Sequence, residues 1–188
     1  NVNDIAFDKT GTLTKGNFVV THKYSVDERL MDNLLYSCEK KFTHAIAISI
    51  CKYLEGKAEE LTLETLTNIP GYGIKATFRG KEVLIGNKKL LNKNKVEINE
   101  EINEIDNVIY VSYNKEFIGY LVISDEIKED AKKAISYLNN KYNIHIISGD
   151  KKDVVKKVAD TLEISNYHYE MLPDEKLKIV ENINKNTN

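Results

Sequence analysis

From residue 125 onward the chain alternates helix and strand. DEIKEDAKKAISYLNNKY has the spacing of an amphipathic helix, NIHIIS of a buried strand, DKKDVVKKVADTLE of a second helix and DEKLKIVENI of a third. Such alternation specifies parallel βαβ units, because a parallel neighbour is reached only through a crossover. The matching hydrophobic strand lies at the other end of the chain, in VNDIAF at 2–7. The reading is therefore one α/β, Rossmann-like domain in two pieces, 1–19 and 120–188, its parallel sheet drawn from 2–7, 119–123, 144–148 and 167–169. A mixed α+β domain, 20–119, is inserted between the pieces.

The insert has its own texture. NFVVTHKYSV alternates like a strand, and 27–39 has apolar residues at helical spacing behind Asp27, a suitable N-cap. A second helix is expected over 43–54, capped by Thr43. The stretch LTNIPGYGIKATFRGKEVLIGNKKLL is broken by Pro70-Gly71, Gly73, Arg79-Gly80 and Gly86-Asn87, which predicts antiparallel strands and turns. VIYVSY and FIGYLVI form a hairpin across Asn114-Lys115.

Bulk properties exclude some functions. With 41% hydrophobic residues among 188 the chain can build such a core or two, and a formal net charge of −2 advertises neither nucleic acid nor an anionic membrane as partner. Cys38 and Cys51 have no CxxC or Cys/His ligand spacing and read as reduced thiols. No apolar run approaches the roughly 18 residues of a membrane helix.

The chemistry sits at strand ends. In doubly wound sheets ligands bind beyond the carboxyl ends of the strands. One hydrophobic strand here runs into Asp8-Lys9-Thr10-Gly11-Thr12 and another into Ser148-Gly149-Asp150, with Lys176 downstream in LPDEK. A carboxylate, a hydroxyl, glycine-rich backbone amides and an ammonium suit phosphoryl transfer to a carboxylate. Asp8 attacks, Ser148 with Lys9, Gly149 and Asp150 surrounds the phosphoryl oxygens, and Lys176 neutralises charge. Mg²⁺ is needed to screen the incoming phosphate from Asp8.

DKTGTLT at 8–14 is identical to the phosphorylation signature of the P-type ATPases, cation pumps of the haloacid-dehalogenase-like fold. SGD at 148–150 resembles the family's TGD, Asp125 opens the helix after the hairpin as the family pattern has it, and LPDEK at 172–176 matches its PxxK. The resemblance implies that ATP phosphorylates Asp8, that Thr10 gives a backbone carbonyl to Mg²⁺ beside Asp8, and that Lys176 contacts the phosphoryl group. Related phosphatases carry a second acid two residues after the nucleophile. Thr10 cannot serve as a general acid or base, so an aspartyl phosphate here is expected to persist.

The insert lacks the KGAxE pattern of the calcium and sodium/potassium pumps and resembles the nucleotide-binding domain of the heavy-metal-transporting class. Glu39, His44, Gly71-Tyr72-Gly73 and Gly86-Asn87 follow the order of that class's glutamate, SEHP-type histidine, GxG turn and Gly-Asn. By that resemblance His44 stacks on or bonds to adenine, Glu39 accepts from its amino group, and Gly71, Gly73, Gly86 and Asn87 complete the nucleotide site. Phe42-Thr43-His44-Ala45 departs from Ser-Glu-His-Pro in losing both the acid and the proline beside the histidine. The family's GDGxND acids and its transmembrane helices are not in these residues, so the sequence reads as the cytoplasmic, soluble part of a longer membrane pump. Its expected partners are ATP, Mg²⁺, the pump's other cytoplasmic domains and a heavy-metal cation, copper or zinc/cadmium. The alternatives are a free-standing phosphatase or phosphotransferase of the same fold and a non-catalytic ATP-binding module.

Overall fold

In the computed structural model, which describes residues 3–100, 102 and 107–178, β-branched and aromatic runs form strands and the amphipathic runs form helices. The order is β1 (Asp4–Asp8), β2 (Thr14–Ser25), α1 (Glu28–Glu39), α2 (Ala45–Leu54), β3 (Thr65–Ile69), β4 (Gly73–Phe78), β5 (Lys81–Gly86), α3 (Lys88–Lys93), β6 (Asn107–Tyr113), β7 (Glu116–Ile127), α4 (Ala131–Asn139), β8 (Asn143–Ile147), α5 (Lys152–Leu162) and β9 (Asn166–His168). The chain forms two compact units, one of residues 1–16 and 125–188 and the other of residues 17–124.

In the two-piece unit the described strands form a parallel sheet in the order β1-β8-β9, with Asp4 opposite Asn143 and Asp8 opposite Ile147. Odd and even residues point to opposite faces. Ile5, Phe7, Ile144, Ile146 and Tyr167 therefore share one face, where they pack with Ile135 of α4 and Val155, Val158, Ala159 and Leu162 of α5. The stretch 173–178 is helical. It opens on Pro173, whose missing N–H costs nothing there, and the Leu172 amide donates to the Glu175 carboxylate at 3.1 Å, half of a capping box. The rest of the expected third helix, 179–183, lies outside the described residues.

The continuous unit is built on a sheet of order β2-β7-β6-β5-β4-β3. The pairs β3/β4, β4/β5, β5/β6 and β6/β7 are antiparallel. Helices α1 and α2 cover one face, where Met31, Leu34, Leu35, Ile50 and Leu54 meet Ile74, Ala76, Val83, Ile85 and Leu121. On the other face Leu90 and Leu91 of α3 pack with Leu84, Tyr110 and Phe117. Asp27 caps α1 by accepting from the Leu30 amide at 3.2 Å, and Asn114 and Lys115 both take positive φ in the β6–β7 turn.

Three expectations need correction. Residues 119–123 belong to β7 and pair antiparallel with β6, so they add nothing to the parallel sheet. Asp125 lies on that same strand, which runs to Ile127, and the helix begins only at Ala131. The strand formers of FIGYLVI carry the extended backbone onward, and Asp125 is fixed there by the Thr14 hydroxyl 2.6 Å away. The cap of α2 is His44, whose Nδ1 accepts from the Ala47 amide at 3.2 Å, and not Thr43. An imidazole lone pair serves the cap as a hydroxyl would, one residue later.

Candidate functional site

Asp8 is the last residue of β1 and stands where the parallel sheet ends. Its side chain is 49% exposed, and Lys176 Nζ approaches Asp8 Oδ1 to 3.5 Å. The backbone then turns through Lys9–Leu13, with Thr10 extended and Gly11 at φ +80°, a left-handed conformation that glycine adopts without a Cβ penalty. Thr10, Gly11 and Thr12 are exposed, whereas Lys9, Leu13 and Thr14 are buried. The loop thus presents its middle to solvent and anchors both ends.

Lys9, expected beside the phosphoryl oxygens, stands in an ion pair here. Its side chain is 2% exposed and turned inward, with Nζ 2.8 Å from Asp150 Oδ2 and 3.9 Å from Asp125 Oδ2. The ammonium assigned to phosphate is thus engaged by two carboxylates. Such a pair gains little over an apolar substitute but is costly to break, so it fixes the position of the loop. Thr14 Oγ1 adds a bond to Asp125 Oδ2 and lies 3.1 Å from the Lys9 carbonyl oxygen. Asp125 and Thr14, absent from the residues given catalytic or binding roles, complete this network. Asp125's place after a long hydrophobic strand was the available signal.

At the end of the neighbouring strand β8, Ser148 is buried, and its Oγ accepts from the Asp150 amide at 3.1 Å. The Ser148 amide donates to the His168 carbonyl, and the Met171 amide donates back to Ser148 O, so this loop is tied to the one after β9. A Cβ on Gly149 would come within 3.2 Å of the Met171 carbonyl oxygen. The structure therefore forms two sets of contacts on successive residues, Asp8 with Lys176 and Lys9 with Asp150 and Asp125. Ser148 joins the second through the Asp150 amide.

In the continuous unit the glycines and Asn87 form a second, separate cluster. Gly73 pairs with Gly86 across β4 and β5, and a Cβ on either would lie 2.2 Å or 2.1 Å from a backbone oxygen. Gly71 and Gly73 have φ of +81° and +140°. Asn87 clasps the turn: its Nδ2 donates to Gly71 O at 2.8 Å while its Oδ1 accepts from the Leu90 amide at 2.9 Å and caps α3. These residues shape backbone, and one N–H and one oxygen lone pair of the Asn87 side chain are engaged in doing so.

Glu39 and His44 lie at the facing ends of α1 and α2. His44 is exposed, its ring 6.1 Å from that of Phe42. Glu39 is 4% exposed, and among the described residues its Oε2 has no hydrogen-bond partner. Burial pushes its carboxyl up to about 7. No described hydrogen bond joins Glu39 or His44 to the glycine cluster. Among the described residues no helix is long and apolar enough to cross a membrane, and no group of three His, Cys, Asp or Glu is placed to hold a metal.

Comparison with known proteins adds three findings. Residues 5–188 match the haloacid dehalogenase-like hydrolase family. A probable copper-transporting P-type ATPase B of Staphylococcus aureus is 31% identical, covering 99% of this chain and 29% of its own length. A cadmium, zinc and cobalt-transporting ATPase of Helicobacter pylori is 35% identical, over 93% of this chain and 26% of its own length. The chain thus spans less than a third of these curated relatives. The solved catalytic domain of the CPx-ATPase CopB-B superposes with a TM-score of 0.77 at 30% identity, over 100% of this chain and 70% of that one.

Proposed function

The chain belongs to the haloacid dehalogenase-like hydrolase family, and from that premise we propose that it is the ATP-binding and phosphorylation region of a heavy-metal-transporting P-type ATPase. Residues 17–124 bind the nucleotide, Asp8 accepts its terminal phosphoryl group, and the aspartyl phosphate drives cation translocation across a membrane in the longer protein. The observation that carries this reading is Asp8 itself: a half-exposed carboxylate ending a parallel strand, 3.5 Å from a lysine ammonium.

The residues divide the work. The Asp8 carboxylate attacks phosphorus, and Lys176 stands where it can neutralise charge on the transferring group. Lys9, pinned between Asp150 and Asp125, holds the loop rather than the phosphate. Thr10, exposed, offers no acid or base of its own to activate water at the acyl phosphate. The donor set fits Mg²⁺, which takes one or two protein oxygens and fills its sphere with phosphate and water. Asp8 and the Thr10 carbonyl would hold it, and the ion would supply charge screening between carboxylate and phosphate.

ATP titrated into the 188-residue chain tests the nucleotide half. The expected result is weak but saturable binding that falls at least fivefold in His44→Ala. Unchanged affinity in that variant removes His44 from the site, and no binding by the wild-type chain overturns the reading.

A further inference from the structure

Of the 27 lysines and arginines in this chain only Arg29 and Arg79 are arginines, and both line one open cleft of about 650 Å³ in the continuous unit. That volume is ordinary for a small-molecule site. Leu30 in the first turn of α1, Leu61, Phe78 at the end of β4 and Tyr113 at the end of β6 supply its apolar walls, and Lys81 a third cation. The cleft is remote from the glycine cluster. Phe78 faces Lys81 at one end of the β4/β5 pair and Gly73 faces Gly86 at the other, about 16 Å of strand away.

Arg79 is held ready for a ligand. It takes φ of +51° in the turn with Gly80, a conformation that glycine or asparagine adopts at less cost. The Gly80 amide donates to the Glu64 carboxylate at 2.9 Å and pins that turn. The Arg79 guanidinium lies 5.0 Å from the centre of the Phe78 ring, and the Tyr113 hydroxyl donates to the Phe78 carbonyl at 3.0 Å. Among the described residues neither Arg79 nor Lys81 has a carboxylate at ion-pair distance. Arg29 meets only Glu59, at 3.9 Å and with both side chains largely exposed, a pair that contributes little. Asp27, the other acid of the cleft, accepts from the Leu30 amide as the cap of α1.

We propose that this cleft binds an amphipathic carboxylate, its head in the guanidinium forks of Arg29 and Arg79 and its aromatic or branched aliphatic body against Leu30, Leu61 and Tyr113. A guanidinium fork matches a planar carboxylate through two parallel hydrogen bonds, which an ammonium cannot do. A phosphate would need donors for three oxygens, and the amides here are engaged: Glu59 donates to Asn33 Oδ1, Leu61 to Ser37 Oγ and Gly80 to Glu64. The walls instead favour an apolar body over a bare anion.

Amide-resolved NMR titration of the 188-residue chain with phenylbutyrate tests this, with phenylbutyramide and inorganic phosphate as comparison probes. Saturable shifts are expected at the amides of Leu61, Arg79 and Gly80, with the uncharged amide about tenfold weaker. Arg79→Lys keeps the charge and loses the fork, so affinity should fall about fivefold. The double variant Arg29→Gln, Arg79→Gln should show no saturable shift. Glu59→Gln frees Arg29 and should tighten binding about twofold. All these side chains are exposed, and unchanged melting temperatures serve as the fold control. No saturable shift in the wild-type chain, equal binding of phenylbutyramide, or unchanged affinity in either arginine variant overturns the proposal. Displacement of phenylbutyrate by an equal concentration of phosphate would make the cleft a general anion site and overturn its carboxylate selectivity. Unchanged affinity in Glu59→Gln would remove Arg29 from the site.

Discussion

Two buried ionisable groups in this molecule are handled in opposite ways. Lys9 is 1% exposed, yet two carboxylates stand within 4 Å of its ammonium. Glu39 is 4% exposed and has an oxygen with no partner among the described residues. The first arrangement is charge-balanced: two carboxylates face the ammonium, although Asp125 Oδ1 has no hydrogen-bond partner among the described residues, and its role is to fix the turn that presents Asp8. The second is open, and an open polar group in a packed interior is either a standing cost or a place for a ligand. The difference separates a buried charge that is balanced from a buried acid that is not, among the described residues.

The largest effect is expected on the balanced side. Lys9→Met removes the cation and leaves Asp125, 6% exposed, buried without its counter-charge. Urea denaturation should show a loss of about 3–5 kcal/mol. A loss under 1 kcal/mol would mean that the ion pair holds nothing.

On the open side the sign reverses. Glu39 is raised from 4.5 to about 7 by burial, so between those values the folded chain binds more protons than the unfolded one. Stability from this group is full below pH 4.5 and declines as pH rises toward 7. Glu39→Gln, which cannot ionise, should therefore be more stable than wild type by roughly 2–3 kcal/mol at pH 8. The two proteins should converge near pH 4.5. Equal melting temperatures at pH 8 would show that Glu39 ionises without penalty.

Asn87 gives the smallest effect. Its side chain bonds the Gly71 carbonyl and caps α3, so Asn87→Ala should cost about 1 kcal/mol by denaturation. With the side chain holding the turn and the cap, ATP affinity should change less than threefold. A larger fall would mean that Asn87 touches nucleotide directly.

What could be read from the sequence was what depends on near neighbours. Asp27 as a cap, the Asn114-Lys115 turn and Asp8 at a strand end all follow from residues within a few positions. The burial of Lys9 does not, because it depends on Asp125 and Asp150, far along the chain, meeting at one loop. Asp125 looked like a helix start because acids often begin helices, and its contact with Thr14 spans 111 residues. Residues 119–123 have the strand-like texture that either sheet would accept, and only pairing with β6 decides between them. The order of Glu39, His44 and the glycines was legible through resemblance, but the unpartnered state of Glu39 is a property of packing.

The most direct test falls on Asp8 in the longer pump proposed above. After exposure to γ-³²P-labelled ATP with Mg²⁺ and an acid quench, the account predicts a hydroxylamine-sensitive label on the peptide containing Asp8, absent in Asp8→Asn. A label that persists at full level in Asp8→Asn would contradict it.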